Sequence, residues 1–263
     1  MSMTTSVHTV RINLKNTHIV EQRIFEDEVA VEIPINILIN DKHCITLLAS
    51  PNASKELGIG YILSEGIIKS FDECLDVDIS ENAIKITTKS DCDFRRHRIL
   101  KLVTTACVST KDYIRLLDRM DNLYVSSDIN VSPNKIIEII RNLNKQCEIF
   151  RKTGGTHAAG LFDPSTAKAL CIFEDVGRHN AIDKVIGFAV LNGLNFSELV
   201  LASTGRMTAD MVLKAARMSI PVIASIAGPI NSGIIFAEKT GITLVCFVRG
   251  KRINVYSHKE RID

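Results

Sequence analysis

The chain predicts an α/β protein: a mixed-sheet, three-layer sandwich preceded by a smaller, mostly β amino-terminal domain. Three observations predict it. Val- and Ile-rich runs separated by turn residues dominate residues 28–87. Helical and extended apolar patterns alternate from residue 135 onward. A run of seven polar or ionisable side chains around a glycine, at 174–184, falls where a strand should give way to a helix. The expected domains are 1–103 and 104–263, and a chain of 263 residues buries enough surface to need no disulfide staples.

Taking the elements in order, residues 28–38 read as a strand, Asn40-Asp41 as a turn, and residues 44–48 as the returning strand of a hairpin. Ser50-Pro51-Asn52 supplies cap and turn residues before a helix at 56–63, whose Leu57, Tyr61 and Ile62 predict an apolar stripe. The helix should end at Gly66. Residues 75–79 and 83–87, split by Glu81-Asn82, read as a second hairpin, and the polar run 89–98 as surface strand or linker.

In the second half, Ser132-Pro133 caps a helix with Ile136, Ile137, Ile139, Ile140 and Leu143 on one face. Strands at 157–162 and 168–173 flank the turn Asp163-Pro164-Ser165-Thr166. A helix running to about Leu191 follows the polar run. Strands at 199–202 and 222–226, helices at 209–218 and 232–239, and strands at 242–248 and 253–256 complete the pattern.

Composition excludes several function classes. A net charge of +2 and a pI near 8.1 give no field on the scale of a polyanion binder, so no nucleic-acid partner is expected. No basic segment leads into an apolar core at the amino terminus, and no apolar run reaches the roughly 18 residues of a membrane span. The expectation is a cytoplasmic protein without a membrane partner. Seven cysteines, an odd number with no Cys-x-x-Cys spacing, suit a reduced compartment and exclude a zinc knuckle or a thioredoxin-type pair.

Four junctions carry unusual chemistry. They are Thr153-Gly154-Gly155-Thr156-His157; Glu174-Asp175-Val176-Gly177-Arg178-His179-Asn180-Ala181-Ile182-Asp183-Lys184; Ala202-Ser203-Thr204-Gly205-Arg206-Met207-Thr208; and Phe247-Val248-Arg249-Gly250-Lys251-Arg252. Glycine turns, helix starts and Arg or Lys side chains suit phosphate oxygens, which points to a nucleotide-bearing ligand. For the second junction the competing reading is structural, with Asp175 or Asn180 as an N-cap and Arg178 paired to Glu174. His157 and His179 stand open between a site role and a structural one.

Standard motifs are missing. Gly155 to Gly160 has Walker spacing, but Leu161-Phe162 follows where Lys and a hydroxyl residue are required. Gly58-Ile59-Gly60 lacks the third glycine of a dinucleotide fingerprint. A zinc deaminase would need H-x-E, and His157-Ala158-Ala159 has alanine in place of the glutamate.

Residues 153–159, 174–184, 204–206 and 241–250, together with Gly60-Tyr61-Ile62-Leu63-Ser64-Glu65-Gly66-Ile67-Ile68, closely resemble the formate dehydrogenase accessory sulfurtransferase family, FdhD. The resemblance runs from about residue 26 to the end. It implies a cytidine-deaminase-like fold for the large domain and a homodimer. It also implies a persulfide relay from a cysteine desulfurase to the molybdenum or tungsten bis-guanine-dinucleotide cofactor, Mo-bis(molybdopterin guanine dinucleotide), of formate dehydrogenase. The cofactor site would then comprise Phe247, Val248, Arg249, Gly250, Lys251 and Arg252, with Arg178, His179, Arg206 and His157, and GDP would be a mimic of the cofactor. An alternative is a binding or insertion chaperone that never handles sulfur.

Cys107 is the expected sulfur-bearing residue. It lies among small hydroxylated residues downstream of Arg95-Arg96-His97-Arg98, where nearby cations would lower a thiol pKa. The family often shows Cys-x-x-Cys on this loop. Here Cys107 aligns with the first cysteine and Thr110 with the second, while a one-residue shift would place Ala106 and Ser109 there instead. A single thiolate still suffices chemically to accept and donate a sulfane sulfur.

Overall fold

A computed structural model of the chain describes residues 1–91 and 123–263 and organises them in three sheets. Strands β1 (Thr4–Lys15) and β2 (His18–Ala30) form a separate antiparallel ribbon. Strands β3 (Ile33–Ile39), β4 (Lys42–Ala49), β5 (Cys74–Ser80) and β6 (Ala83–Thr88) form a second sheet in the order β4-β3-β6-β5. Both expected hairpins are present, the first turning through Asn40 and Asp41 in left-handed conformations. The single strand expected over 28–38 is instead two. Val31 N–H still bonds Met3 O at the foot of the ribbon, whereas Ile33 already pairs with Ala49 in the other sheet. The alternation of Val29, Val31, Ile33, Ile35 and Ile37 runs unbroken through Glu32, so the pattern does not record the change of partner.

Helix α1 (Ser54–Ser64) lies against the second sheet, with Leu57, Ile59, Ile62, Ile35, Ile37, Ile84 and Ile86 in one core. The expected stripe was too narrow. Every residue from Leu57 to Ser64 is buried, because the opposite side of α1 is covered as well.

The remaining elements are α2 (Pro133–Gln146), α3 (Glu148–Thr153), β7 (His157–Phe162), β8 (Ala169–Asp175), α4 (Arg178–Leu191), β9 (Val200–Ser203), α5 (Ala209–Arg217), β10 (Val222–Ser225), α6 (Asn231–Thr240), β11 (Thr243–Arg249) and β12 (Arg252–Ser257). Ser132 caps α2 through the Lys135 N–H, with Pro133 at its first position. The six strands run in the order β12-β11-β10-β9-β7-β8, with β9, β10 and β11 parallel and the outer pairings antiparallel. The sheet is therefore mixed, and both faces are buried. Val200, Ala202, Val222, Ala224, Val245 and Val248 share one core with α2, while Leu201, Ile223, Leu244 and Cys246 share the other with α4, α5 and α6.

What covers the outer side of α1 is α4. A Cβ on Gly60 would lie 1.7 Å from the Asp183 carbonyl oxygen, and one on Gly187 would lie 1.9 Å from the Glu56 carbonyl oxygen. The two helices thus cross with their backbones in contact, each supplying the glycine the other requires. The boundary expected at 103/104 lies outside the described residues. Replacing Gly60 by Ala should force the helices apart and destabilise the protein by about 3 kcal/mol, the upper part of the usual overpacking range. Denaturant titration measures this; a loss below about 0.5 kcal/mol would contradict the crossing.

Candidate functional site

All four polar junctions meet along one edge of the six-stranded sheet. Strands β8, β9, β10 and β11 end there, and β7 and β12 begin there, as the pairings His157↔Asp175, Ser203↔Ser225 and Arg249↔Arg252 record. The edge extends about 19 Å from β8 to β11, four strand spacings. Backbone and hydroxyl bonds stitch neighbouring loops together. Thr204 N–H donates to Ala158 O, Ser225 Oγ donates to Gly205 O at 2.7 Å, Met207 N–H donates to Gly228 O, and Phe247 N–H donates to Ala227 O.

The polar run 174–184 divides its work. Glu174 accepts from the N–H groups of Ile149 and Phe150 at 2.9 and 2.7 Å and from the Thr156 hydroxyl, so it caps α3 rather than pairing with Arg178. Asp175, fully buried, accepts through one oxygen from Gly177 N–H and Asn180 Nδ2, and through the other from Ser50 N–H and Lys184 Nζ. Lys184 also donates to Ser50 O and Asn52 Oδ1, and Asn180 to Leu48 O. Burial pushes the Lys184 pKa down while the Asp175 carboxylate pulls it back. One turn along, Asp183 accepts from Ser64 and Lys214, and Lys214 reaches Glu65 at 2.8 Å. Burial works to lower the Lys214 pKa, and its carboxylate partners outweigh it, leaving it raised. These residues fasten the amino-terminal sheet and α1 to the site's scaffold. The structural reading prevails for Glu174, Asp175, Asn180, Asp183 and Lys184.

Arg178 and His179, in the first turn of α4, remain half-buried at the edge. The Arg178 side chain lies over Gly205, where a Cβ would stand 2.8 Å from it, and its Nε is buried without a hydrogen-bond partner among the described residues. Burial and the neighbouring Arg206 lower its pKa, with Asp210 opposing. His157 Nδ1 stands 3.4 Å from Thr204 Oγ1, and burial together with Arg178 and Arg206 holds the imidazole below its ordinary pKa. Arg178 and Arg206 therefore form one positive cluster, with the His157 imidazole beside them held toward its neutral form, at the start of a fourteen-residue helix. Its first N–H groups add to the same positive potential. Thr204 and Gly205, which shape the cluster, are not among the expected cofactor-site residues; their signals in the sequence are a place in a small-residue turn and in the family-like segment 204–206.

At the other end of the edge, Phe247 adopts φ 50° where the β11–β12 register slips, a left-handed conformation that costs a non-glycine residue about 1–3 kcal/mol. Its ring packs on Gly228 and lies 5.4 Å from the Arg249 guanidinium, whose Nε donates to Ile226 O. Gly250, Lys251 and Arg252 are exposed around the turn, with Gly250 at φ 60°. Val248 differs from its neighbours: it is buried in the core beneath, so its side chain serves the sheet. Cys107 lies outside the described residues. Of the five cysteines described, burial raises the thiol pKa of Cys147 and Cys171 to about 11 and of Cys246 to about 12, leaving them protonated and inert.

These features define a mixed α/β protein with a cationic sheet edge, and comparison with known proteins gives its family. The model of the FdhD/NarQ family matches residues 30–263. The sulfur carrier protein FdhD of Methanothermobacter thermautotrophicus is 38% identical over 243 residues, covering 92% of this chain and 94% of its own. That of Sulfolobus acidocaldarius is 35% identical over 240 residues, covering 90% and 92%. A crystal structure of a protein from Desulfotalea psychrophila, described as a formate dehydrogenase accessory protein, is similar with a TM-score of 0.77 at 26% identity, covering 98% and 99%. The chain belongs to the FdhD/NarQ family. Among the described residues no helix is long and apolar enough to cross a membrane.

Because Arg206 disfavours the imidazolium, Arg206→Gln should move the His157 titration upward toward its ordinary midpoint. An NMR titration reads this shift; an unmoved midpoint would separate the two residues.

Proposed function

We propose that this protein is a sulfur carrier. The thiolate of Cys107 attacks the terminal sulfur of a cysteine desulfurase persulfide; the new S–S bond leaves Cys107 as the persulfide and releases the desulfurase thiolate. The Cys107 S–S bond then breaks, Cys107 leaves as the thiolate, and the outer sulfur passes to the molybdenum or tungsten bis-guanine-dinucleotide cofactor destined for formate dehydrogenase, held as cargo, whose reduced metal would supply the two electrons that bring the sulfur to the sulfide level. The observation that carries the reading is the convergence of Arg178 and Arg206 with Arg249, Lys251 and Arg252 on one edge, where His157 stands beside the first two. Phosphate-bearing guanylate arms need such spaced cations, and guanidinium groups grip phosphate oxygens in pairs. The names of the relatives support the same assignment.

Incubation with a cysteine desulfurase and cysteine should add sulfane mass to the wild type and none to Cys107→Ala, read by intact-protein mass spectrometry. Equal labelling removes Cys107 from the relay. If Cys107→Ala still activates formate dehydrogenase, the protein is a cofactor-binding chaperone instead. Separately, Arg252→Ala should weaken GDP binding about tenfold, the loss of one charge-assisted contact, in a calorimetric titration. Unchanged affinity would place the nucleotide elsewhere.

A further inference from the structure

The cations of the edge stand in two groups, Arg178 and Arg206 on the α4 side and Arg249, Lys251 and Arg252 on the β11 side, and buried hydroxyls lie between them. Ser203 and Ser225 are paired in register as the last residues of the parallel strands β9 and β10, and both are fully buried. Each pins the loop that follows it. Ser203 Oγ accepts from Gly205 N–H and Ser225 Oγ from Ala227 N–H, both at 3.0 Å. A hydroxyl that accepts can still donate, and Ser225 gives its proton across the strands to Gly205 O at 2.7 Å. Gly205 is thereby held at its N–H by one serine and at its C=O by the other.

Both cation groups depend on what these hydroxyls hold. The Arg178 side chain lies on Gly205, where a Cβ would stand 2.8 Å from the Arg178 Cβ and 3.0 Å from its Cδ. Packing on that bare backbone orients the guanidinium, since its Nε makes no hydrogen bond among the described residues. The carbonyl that Ser225 holds belongs to the peptide unit leading directly into Arg206. On the β11 side, the turn closed by Ser225 presents two carbonyls. Ile226 O accepts from Arg249 Nε at 3.1 Å, and Ala227 O accepts from the N–H of the left-handed Phe247 at 3.0 Å.

We propose that Ser225 is a positioning residue of the cofactor site, whose buried hydroxyl fixes the spacing between the two cation groups without itself reaching a phosphate. Phosphates that span the edge gain from both groups only when these are held in register beforehand. One side chain that donates to the β9 loop and accepts from its own turn sets that register; alanine can do neither. The inference rests on the reading of this edge as the cofactor site. The competing role is a hydroxyl that only stabilises two strand ends, which would show in melting temperature and nowhere else.

Calorimetric titration with GDP, an NMR titration of His157 and thermal melting, applied to the full chain, separate the two. Ser225→Ala should weaken GDP binding about tenfold, the scale of one displaced charge-assisted contact. Its His157 midpoint should rise, because Arg178 and Arg206, which disfavour the imidazolium, are no longer held beside it. Ser225→Thr keeps the hydroxyl and should restore both readings. Gly205→Ala leaves both serine hydroxyls in place but pushes Arg178 off its support, so it should raise the His157 midpoint as well. A folded Ser225→Ala protein with a lower melting temperature but an unmoved His157 midpoint, or with unchanged GDP affinity, would overturn the proposal. If Ser225→Ala does not fold, an unmoved midpoint in Gly205→Ala overturns it instead. A wild type that binds no GDP sinks the cofactor-site reading, while the His157 titration still decides whether Ser225 sets the arginines.

Discussion

The backbone crossing of α1 and α4 is the constraint on which the rest of the molecule depends. Gly60 and Gly187 let the helices touch, and that approach brings Ser64 to Asp183 and sets Ser50 against Asp175. Two lysines are then buried with their carboxylates, at separations of 2.5 Å for Lys184 with Asp175 and 2.7 Å for Lys214 with Asp183. Ion pairs of this kind cost several kcal/mol of desolvation per charge and are tolerated only when every remaining donor and acceptor is satisfied. Here the main-chain groups of the Ser50 turn and the Asn52 and Ser64 side chains complete that satisfaction.

The cationic edge inherits its rigidity from this arrangement. Asp175 holds Gly177 N–H and Asn180, so the first turn of α4 is fixed before Arg178 and His179 leave it. Arg178 in turn rests on Gly205, and the Gly205 carbonyl is held by Ser225. Binding groups kept in place by buried polar contacts need little reordering when a charged ligand arrives, which is how preorganisation raises affinity. The strained Phe247 belongs to the same logic, since its N–H is held by the Ala227 carbonyl and its ring by Gly228.

Much of the fold was legible in the sequence because burial on both faces of a sheet leaves continuous Val and Ile runs, as at Val222-Ile223-Ala224 and Leu244-Val245-Cys246. The ribbon was not, because the alternation of Val10, Ile12 and Leu14 with Arg11, Asn13 and Lys15 is short and lies in a stretch that no core among the described residues buries. The polar run 174–184 was legible as exceptional but not in its roles. The partners of Asp175, Asn180 and Lys184 sit more than 100 positions earlier, at Leu48, Ser50 and Asn52, and no local spacing announces them. Arg178 and Lys184 are both basic and six residues apart in one helix. Only the direction each takes around α4 separates a group facing the open edge from one buried in an interface.

That interface has an evolutionary consequence. Because the hydrogen bonds of the buried Asp175–Lys184 pair in one half are completed by the Ser50 peptide groups and the Asn52 side chain of the other, neither half can be exchanged for a homologous module unless the matching turn comes with it. Recombination within this lineage should therefore preserve the Ser50–Asn52 turn and the Asp175–Lys184 helix start as a single inherited unit.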